Sequence, residues 1–371
     1  LLDNRSESQE ALMKTYRVAI VGLGRMASTI DDEGHDIRGY SVPLGGKVSV
    51  AASCKASERL ELVAGADIDS TKREAFAERW EIDAVYENYM HMIEKERPDM
   101  VAVLTNGPLH SEMGVAVANA GVPMLYLEKA MGGSLAEADA VLDACRNNGT
   151  LFNQGVLRRF DTRFEAVAKL IARGEIGEPK TAIYYNRTPL LHNKIHEIDT
   201  FSYLLGDPLI HAVRGELEPR NLEIKDNFMQ EDPNANFEVL FSNGIRGFSI
   251  PGGTEEYEVI GSEGAVRIQN GGLEIIVRKT GSSPGLHPMT GLPIPGNWEN
   301  VVSPSVELTS SVIWLMEDIV NSYETGEPTR SNVDLSHHIT EACFAIAESH
   351  RRGGVWLELP LKERELYVVH R

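Results

Sequence analysis

Lys129 closes the segment Tyr126-Leu127-Glu128-Lys129-Ala130-Met131, where an apolar stretch of strand character runs into a carboxylate and an ammonium. A lysine at the end of a buried strand is placed to meet a substrate hydroxyl. Desolvation there brings its proton affinity toward the range in which an amine exchanges protons. A second set lies in His192-Asn193-Lys194-Ile195-His196, whose i, i+4 spacing puts both imidazoles on one helix face. Removing hydride from a secondary alcohol requires the hydroxyl proton to leave as well, and lysine and histidine are side chains that accept it. Taken singly, Lys129 could be a surface cation paired with Glu128, and His196 a satisfied helix histidine. Two helical histidines also bind zinc, but this segment lacks the glutamate of H-E-x-x-H and carries a lysine between them, so no metal is expected.

Upstream, Val18-Ala19-Ile20-Val21-Gly22-Leu23-Gly24-Arg25-Met26-Ala27 is an apolar strand running into G-x-G-x-x-A at the start of a helix. Gly22 and Gly24 let backbone approach a pyrophosphate, and Arg25 and Met26 begin the helix whose free N–H groups stabilise its charge. Asp67, at the end of the second strand, is placed to accept hydrogen bonds from the adenosine ribose and to repel a 2′-phosphate. That favours NAD over NADP, although Lys72 and Arg73 stand near enough to contact a phosphate. The offset of 43 positions from Gly24 to Asp67 exceeds the usual spacing of about 20, so residues 31–55 read as an insertion and a loop near the cofactor.

These residues need a scaffold of two domains, which 371 residues can supply. Strand-like and helix-like segments alternate through residue 150, as in parallel β-α-β units: strands at 18–21, 60–67, 100–105 and 123–127, helices at 71–80, 110–120 and 135–148. Beyond Gly155 longer alternating strands such as 236–241 and 257–260 point to an antiparallel sheet in an α+β domain. The expected division is a polar extension over 1–14, a Rossmann domain over 15–150, and a substrate and oligomerisation domain over 151–371. Residues 281–304, rich in Gly and Pro, read as a long loop of lid or interface-arm type, in which Trp298 is either a sugar-stacking residue or an anchor. Residues 335–352 form an amphipathic helix, with His337 and His338 near its start.

A formal net charge of −19 disfavours nucleic acid and anionic membranes as partners. Cys54, Cys145 and Cys343 are too few and too scattered for a disulfide framework, which fits a reducing compartment. Neither an export signal nor a membrane span is legible, so the expectation is a cytoplasmic protein.

In order and spacing, the glycine turn at Gly22, the run Leu104-Thr105-Asn106-Gly107-Pro108-Leu109-His110, Glu128-Lys129, Arg158-Arg159-Phe160-Asp161 and His196-Glu197-Ile198-Asp199 resemble the Gfo/Idh/MocA oxidoreductases, named for glucose-fructose oxidoreductase and inositol dehydrogenase. The resemblance implies an N-terminal Rossmann domain, a C-terminal domain with a large, mostly antiparallel sheet, and cofactor and substrate meeting in the cleft between them. It assigns proton transfer to Lys129 and His196, cofactor contacts to Thr105, Asn106, His110 and Glu128, and substrate contacts to Arg158 and Asp199. His192, Asn193 and Arg187, the last leaving the first strand of the second domain, are further substrate-contact candidates. Two departures stand out: Ala130 replaces the proline common after the lysine, removing a rigid turn, and His192 replaces an aspartate frequent in polyol-acting members. The implied activity is NAD-dependent oxidation or reduction of a hydroxyl on a sugar, glycoside or polyol by a homodimer or homotetramer. The alternatives are an NAD-using glycosidase acting through transient oxidation at sugar C3, an oxidoreductase that keeps NADP bound and cycles between two sugars, and a nucleotide-binding regulator without catalysis.

Overall fold

The computed structural model describes residues 14–36, 47–294, 296–301, 306 and 309–370. The polar extension, apart from Lys14, and residues 37–46 of the insertion lie outside that set. Six parallel strands, β1 (Tyr16–Val21), β2 (Leu60–Ala66), β3 (Val85–Tyr86), β4 (Met100–Val103), β5 (Met124–Leu127) and β6 (Leu151–Gln154), form a sheet of order β3-β2-β1-β4-β5-β6. Residues on both faces of β1, β4 and β5 are buried because helices cover both sides, as a parallel sheet requires. Those helices are α1 (Val50–Ala56), α2 (Ser70–Trp80), α3 (Tyr89–Glu96), α4 (His110–Asn119) and α5 (Leu135–Asn148). Local chemistry sets their ends. Asp69, Asn88 and Ser134 accept N-terminal amides of α2, α3 and α5, and Gly149 ends α5 at φ 65°.

The second half contains α6 (Thr162–Ala172), β7 (Pro179–Tyr185), β8 (Thr188–Pro189), α7 (Ile195–Leu204), β9 (Ile210–Glu218), β10 (Phe228–Met229), β11 (Asn234–Phe241), β12 (Arg246–Ile250), β13 (Glu256–Gly261), β14 (Gly264–Gln269), β15 (Glu274–Thr280), β16 (Trp298–Val301), α8 (Ser311–Thr325), α9 (Val333–Arg351), β17 (Leu357–Glu358) and β18 (Tyr367–Val368). Its sheet runs β16-β15-β14-β13-β7-β12-β11-β9-β17 with β8 beside β11, and only the β7–β12 pair is parallel. One short further pair, β10 with β18, is separate. The expected α/β domain followed by a mostly antiparallel sheet is therefore the observed fold.

Three boundaries differ from the sequence reading. The first sheet continues to Gln154, because β6 pairs in parallel with β5. The end of the insertion is a helix: α1 buries Val50, Ala51 and Cys54 against the sheet. Far down the chain, α8 returns to the first domain, burying Val312, Leu315, Met316, Ile319 and Val320 with Val18 and Ile20 of β1 and Tyr126 of β5. Within 281–304, Trp298 belongs to strand β16 and stacks on the Arg278 guanidinium, 5.3 Å away, which makes it an anchor of the sheet edge. The three cysteines are buried and unbridged, and no helix among the described residues is long and apolar enough to cross a membrane.

Candidate active site

At the carboxyl ends of β1, β2, β4 and β5 lies a cleft of about 510 Å³, the position where open parallel sheets take their ligands. Gly22 turns the chain at φ 87°, and a Cβ there would lie 2.9 Å from the Leu104 carbonyl carbon and oxygen. Gly24, by contrast, faces open space, with nothing within 4 Å of the place a Cβ would take. Its turn leads into a single π-helical turn, Arg25–Thr29. The backbone is thus bare where a pyrophosphate would approach, and this donor set fits a dinucleotide.

Asp67 is more than a solvated strand end: only 9% of its side chain is exposed. Its Oδ2 accepts the Leu23 amide at 2.9 Å, tying β2 to the glycine turn, and Oδ1 accepts the Asp69 amide at 3.0 Å. Lys72 lies 3.9 Å from the carboxylate, while the Arg73 guanidinium is bonded to the Asp67 carbonyl. Arg25 and Met26 line the same wall, and Arg25 is paired with Glu33.

The strand ends carrying Thr105 and Lys129 are bridged by His110, whose Nδ1 is 2.8 Å from the Ala130 carbonyl and Nε2 2.9 Å from that of Thr105. Behind it packs His370, and Gly107 makes room: a Cβ there would be 2.3 Å from the His370 ring. The Lys129–Ala130 peptide is cis, although no proline follows the lysine. Glu128 accepts the Tyr126 hydroxyl at 2.8 Å and the Lys129 amide at 3.2 Å, and the bare Cα of Gly155 leaves space for its carboxylate.

Lys129 reaches across the cleft to the second domain, its Nζ 3.3 Å from His192 Nδ1. An ammonium only donates, so this contact makes His192 Nδ1 the acceptor and leaves its proton on Nε2. Burial holds the Lys129 ammonium below the ordinary lysine range, with Glu128 and Asp232 opposing it and Arg158 and Arg25 adding to it. His196 shares the wall. Burial and then the cations Arg158 and Lys129 push its pKa well below the usual value, so its imidazole is neutral near pH 7. Its Nδ1 is buried with no hydrogen-bond partner among the described residues.

α7, which carries His196, is locked to the turn after β6 by Arg159. This fully buried guanidinium donates to Asp199 at 2.8 and 3.0 Å and to Asp207 at 2.8 and 2.9 Å. Asp199, 1% exposed, is thus held in an ion pair behind the site and does not line the cleft. Arg187 is paired outward with Glu218 at 2.5 Å, and Asn193 is also off the cleft wall. Arg158 stands close enough to depress His196 but pairs with Glu255. The structure therefore gathers Gly22, Gly24, Arg25, Met26, Asp67, Thr105, Asn106, His110, Glu128, Lys129, His192 and His196 on one cleft, and leaves Arg158, Arg187, Asn193 and Asp199 off its lining. Sequence reasoning missed Asp232, which accepts the amides of Leu191 at 2.9 Å and His192 at 2.7 Å. Its only signal was an Asp-Pro pair, which marks a loop and no chemistry.

Residues 16–155 match the Gfo/Idh/MocA oxidoreductase family, NAD-binding Rossmann fold. An inositol 2-dehydrogenase of Salmonella paratyphi B is 29% identical over 161 residues, 40% of this chain and 48% of that protein, so the chain spans about half the length of that relative. A scyllo-inositol 2-dehydrogenase (NAD(+)) of Bacillus subtilis is 26% identical over 275 residues, 68% of this chain and 73% of that one. Among solved structures, the aldose-aldose oxidoreductase of Caulobacter crescentus superposes with a TM-score of 0.71 at 20% identity, covering 93% of this chain and 100% of that one. The bare glycine turn and the Glu128–Lys129 strand end thus lie within the residues that match the Gfo/Idh/MocA oxidoreductase family, NAD-binding Rossmann fold, and the histidine helix lies in a two-sheet fold shared with that solved structure.

Proposed function

We propose that this protein is an NAD-dependent dehydrogenase acting on a hydroxyl of a sugar, glycoside or polyol. The observation that carries the reading is the Lys129 Nζ to His192 Nδ1 contact of 3.3 Å on the cleft wall, with His196 beside it. The glycine turn, Asp67, Thr105 and Asn106 would hold NAD, which supplies the hydride acceptor when bound. Lys129, whose proton affinity burial lowers, takes the proton of the substrate hydroxyl. His192 Nδ1 accepts from Lys129 in turn, and because His192 is exposed it forms the solvent end of the relay. His196, neutral and on the cleft wall, orients the hydroxyl by a hydrogen bond.

The relatives named above act on inositols by their names, which supports polyols as the first substrates to try. The test is a panel of inositols, aldoses and glycosides with NAD, reading both NADH and released aglycone. NADH formation with any of them supports a dehydrogenase. Hydrolysis of a glycoside without NADH accumulation would favour the glycosidase reading, and NAD binding with no turnover of any kind would favour a silent regulator.

A further inference from the structure

We propose that Asp232 is a positioning residue of the proton-transfer site: its carboxylate fixes the turn that presents His192 to Lys129, and its charge supports the Lys129 ammonium across the cleft. The argument begins with unpaired backbone. The five-residue π-helical turn Leu190–Lys194 has no side-chain cap of its own. Its first amides have no partner within the helix. Asp232, in the loop between β10 and β11, accepts two of them, Leu191 N at 2.9 Å and His192 N at 2.7 Å. With two successive amides held by one carboxylate, the His192 backbone cannot leave its place opposite Lys129 without breaking a charge-assisted hydrogen bond.

The second part is charge. Lys129 is faced by Arg25 from the glycine turn, Arg158 from the turn after β6, and the imidazoles of His192 and His196. His110 on α4 and His370 near β18 are also within electrostatic range. Against these stand two carboxylates, Glu128 and Asp232. Glu128 is engaged by the Tyr126 hydroxyl and the Lys129 amide. Asp232 is the carboxylate from the second domain, so the docking of that domain contributes the balancing charge. Burial raises the Asp232 carboxyl, and its two amides and Lys129 pull it back toward the charged form.

This inference rests on Lys129 as the proton-transfer group, yet it can be tested without substrate. Trace acetylation of the full chain with acetic anhydride, followed by mass spectrometry of the Lys129 peptide across pH, gives the titration midpoint of that amine directly. Asp232→Asn keeps the shape and removes the charge. It should move the midpoint down by at least about half a pH unit, because an opposite charge favours the protonated amine. If Asp232→Asn does not fold, Asp232→Ser, whose hydroxyl still accepts from one amide, carries the same test. A folded variant with a lower melting temperature but an unmoved Lys129 midpoint would reduce Asp232 to a structural cap and overturn the proposal. A moved midpoint in a protein that oxidises nothing on the panel would uphold this inference while sinking the dehydrogenase reading.

Discussion

Lys129 is pulled in two directions: burial and neighbouring cations expel its proton, and Glu128 and Asp232 retain it. The balance leaves an amine that titrates below an exposed lysine, so in the oxidation direction turnover should rise with pH through that lowered value, as neutral amine accumulates. Lys129→Ala should keep its melting temperature and most of its NAD affinity while losing at least about 100-fold in kcat. Lys129→Arg should not rescue it, since a guanidinium stays protonated. Activity within a few-fold of wild type in the alanine variant would remove Lys129 from the chemistry. His192→Ala should impair turnover with NAD affinity unchanged, measured by titration calorimetry beside steady-state kinetics; wild-type kinetics would end its role as a relay. Asp67→Ala should weaken NAD binding and narrow the preference over NADP, because it removes both the repulsion of a 2′-phosphate and the bond that pins Leu23 N. Unchanged NAD affinity in the folded variant would show that the carboxylate does not meet the ribose.

The helix α8 shows how an element can belong to a domain that its chain position does not suggest. It follows the whole second sheet, yet its apolar stripe covers β1 and β5 of the first. Asn153 of β6 reinforces the docking by donating to the Leu315 carbonyl at 3.1 Å and to Asp318 at 2.9 Å. Leu315 is fully buried. Leu315→Ala should therefore cost about 2–5 kcal/mol, the range for a deleted core leucine, and the loss should reach the nucleotide site. Urea unfolding followed by NAD binding would show binding lost at lower denaturant; an unchanged midpoint would mean that α8 is not part of that core. The same logic explains the fully buried Arg159, whose contacts with Asp199 and Asp207 join the turn after β6 to α7 and so set where His196 stands. Removing one partner from such a pair is costly because the other charge is left buried.

For the molecule as a whole, burial lowers the proton affinity of three histidines. His110, His196 and His370 all lie below the ordinary value of 6.5, His370 at about 4. On unfolding each regains its ordinary proton affinity, so below about pH 6.5 the unfolded chain binds more protons than the folded one. The stability these groups contribute is present above that value and is lost as pH falls toward about 4, the His370 value. The buried carboxyls of Asp199, Glu197 and Asp232 are raised and contribute a slope of opposite sign, so the histidine share is read by difference: between about pH 7 and pH 5 the urea midpoint of His370→Phe should fall less on acidification than that of the parent chain. Equal slopes in the two proteins would show that His370 titrates alike in both states.

Much of this was legible in the sequence because it is local. The parallel half follows from buried apolar runs alternating with capped helices, the nucleotide turn from Gly22 and Gly24 after a strand, and Lys129 and His196 from their order along the chain. The remainder depends on contacts between residues far apart in sequence. Nothing in 281–325 says that α8 crosses back to the first sheet, since an amphipathic helix shows that it has a buried face but not what covers it. Arg158 and Asp199 read as substrate contacts from the family resemblance, and Arg187 from its place after the first strand of the second domain, but the tertiary structure supplied partners of opposite charge, Glu255, Arg159 and Glu218. Asp232 carried no motif, because a carboxylate that caps a turn 40 residues away has a function only once the loop before β11 is folded against it. The sequence alone determined which proton-exchanging side chains the chain carries; the packing of the two domains decided which charges face them.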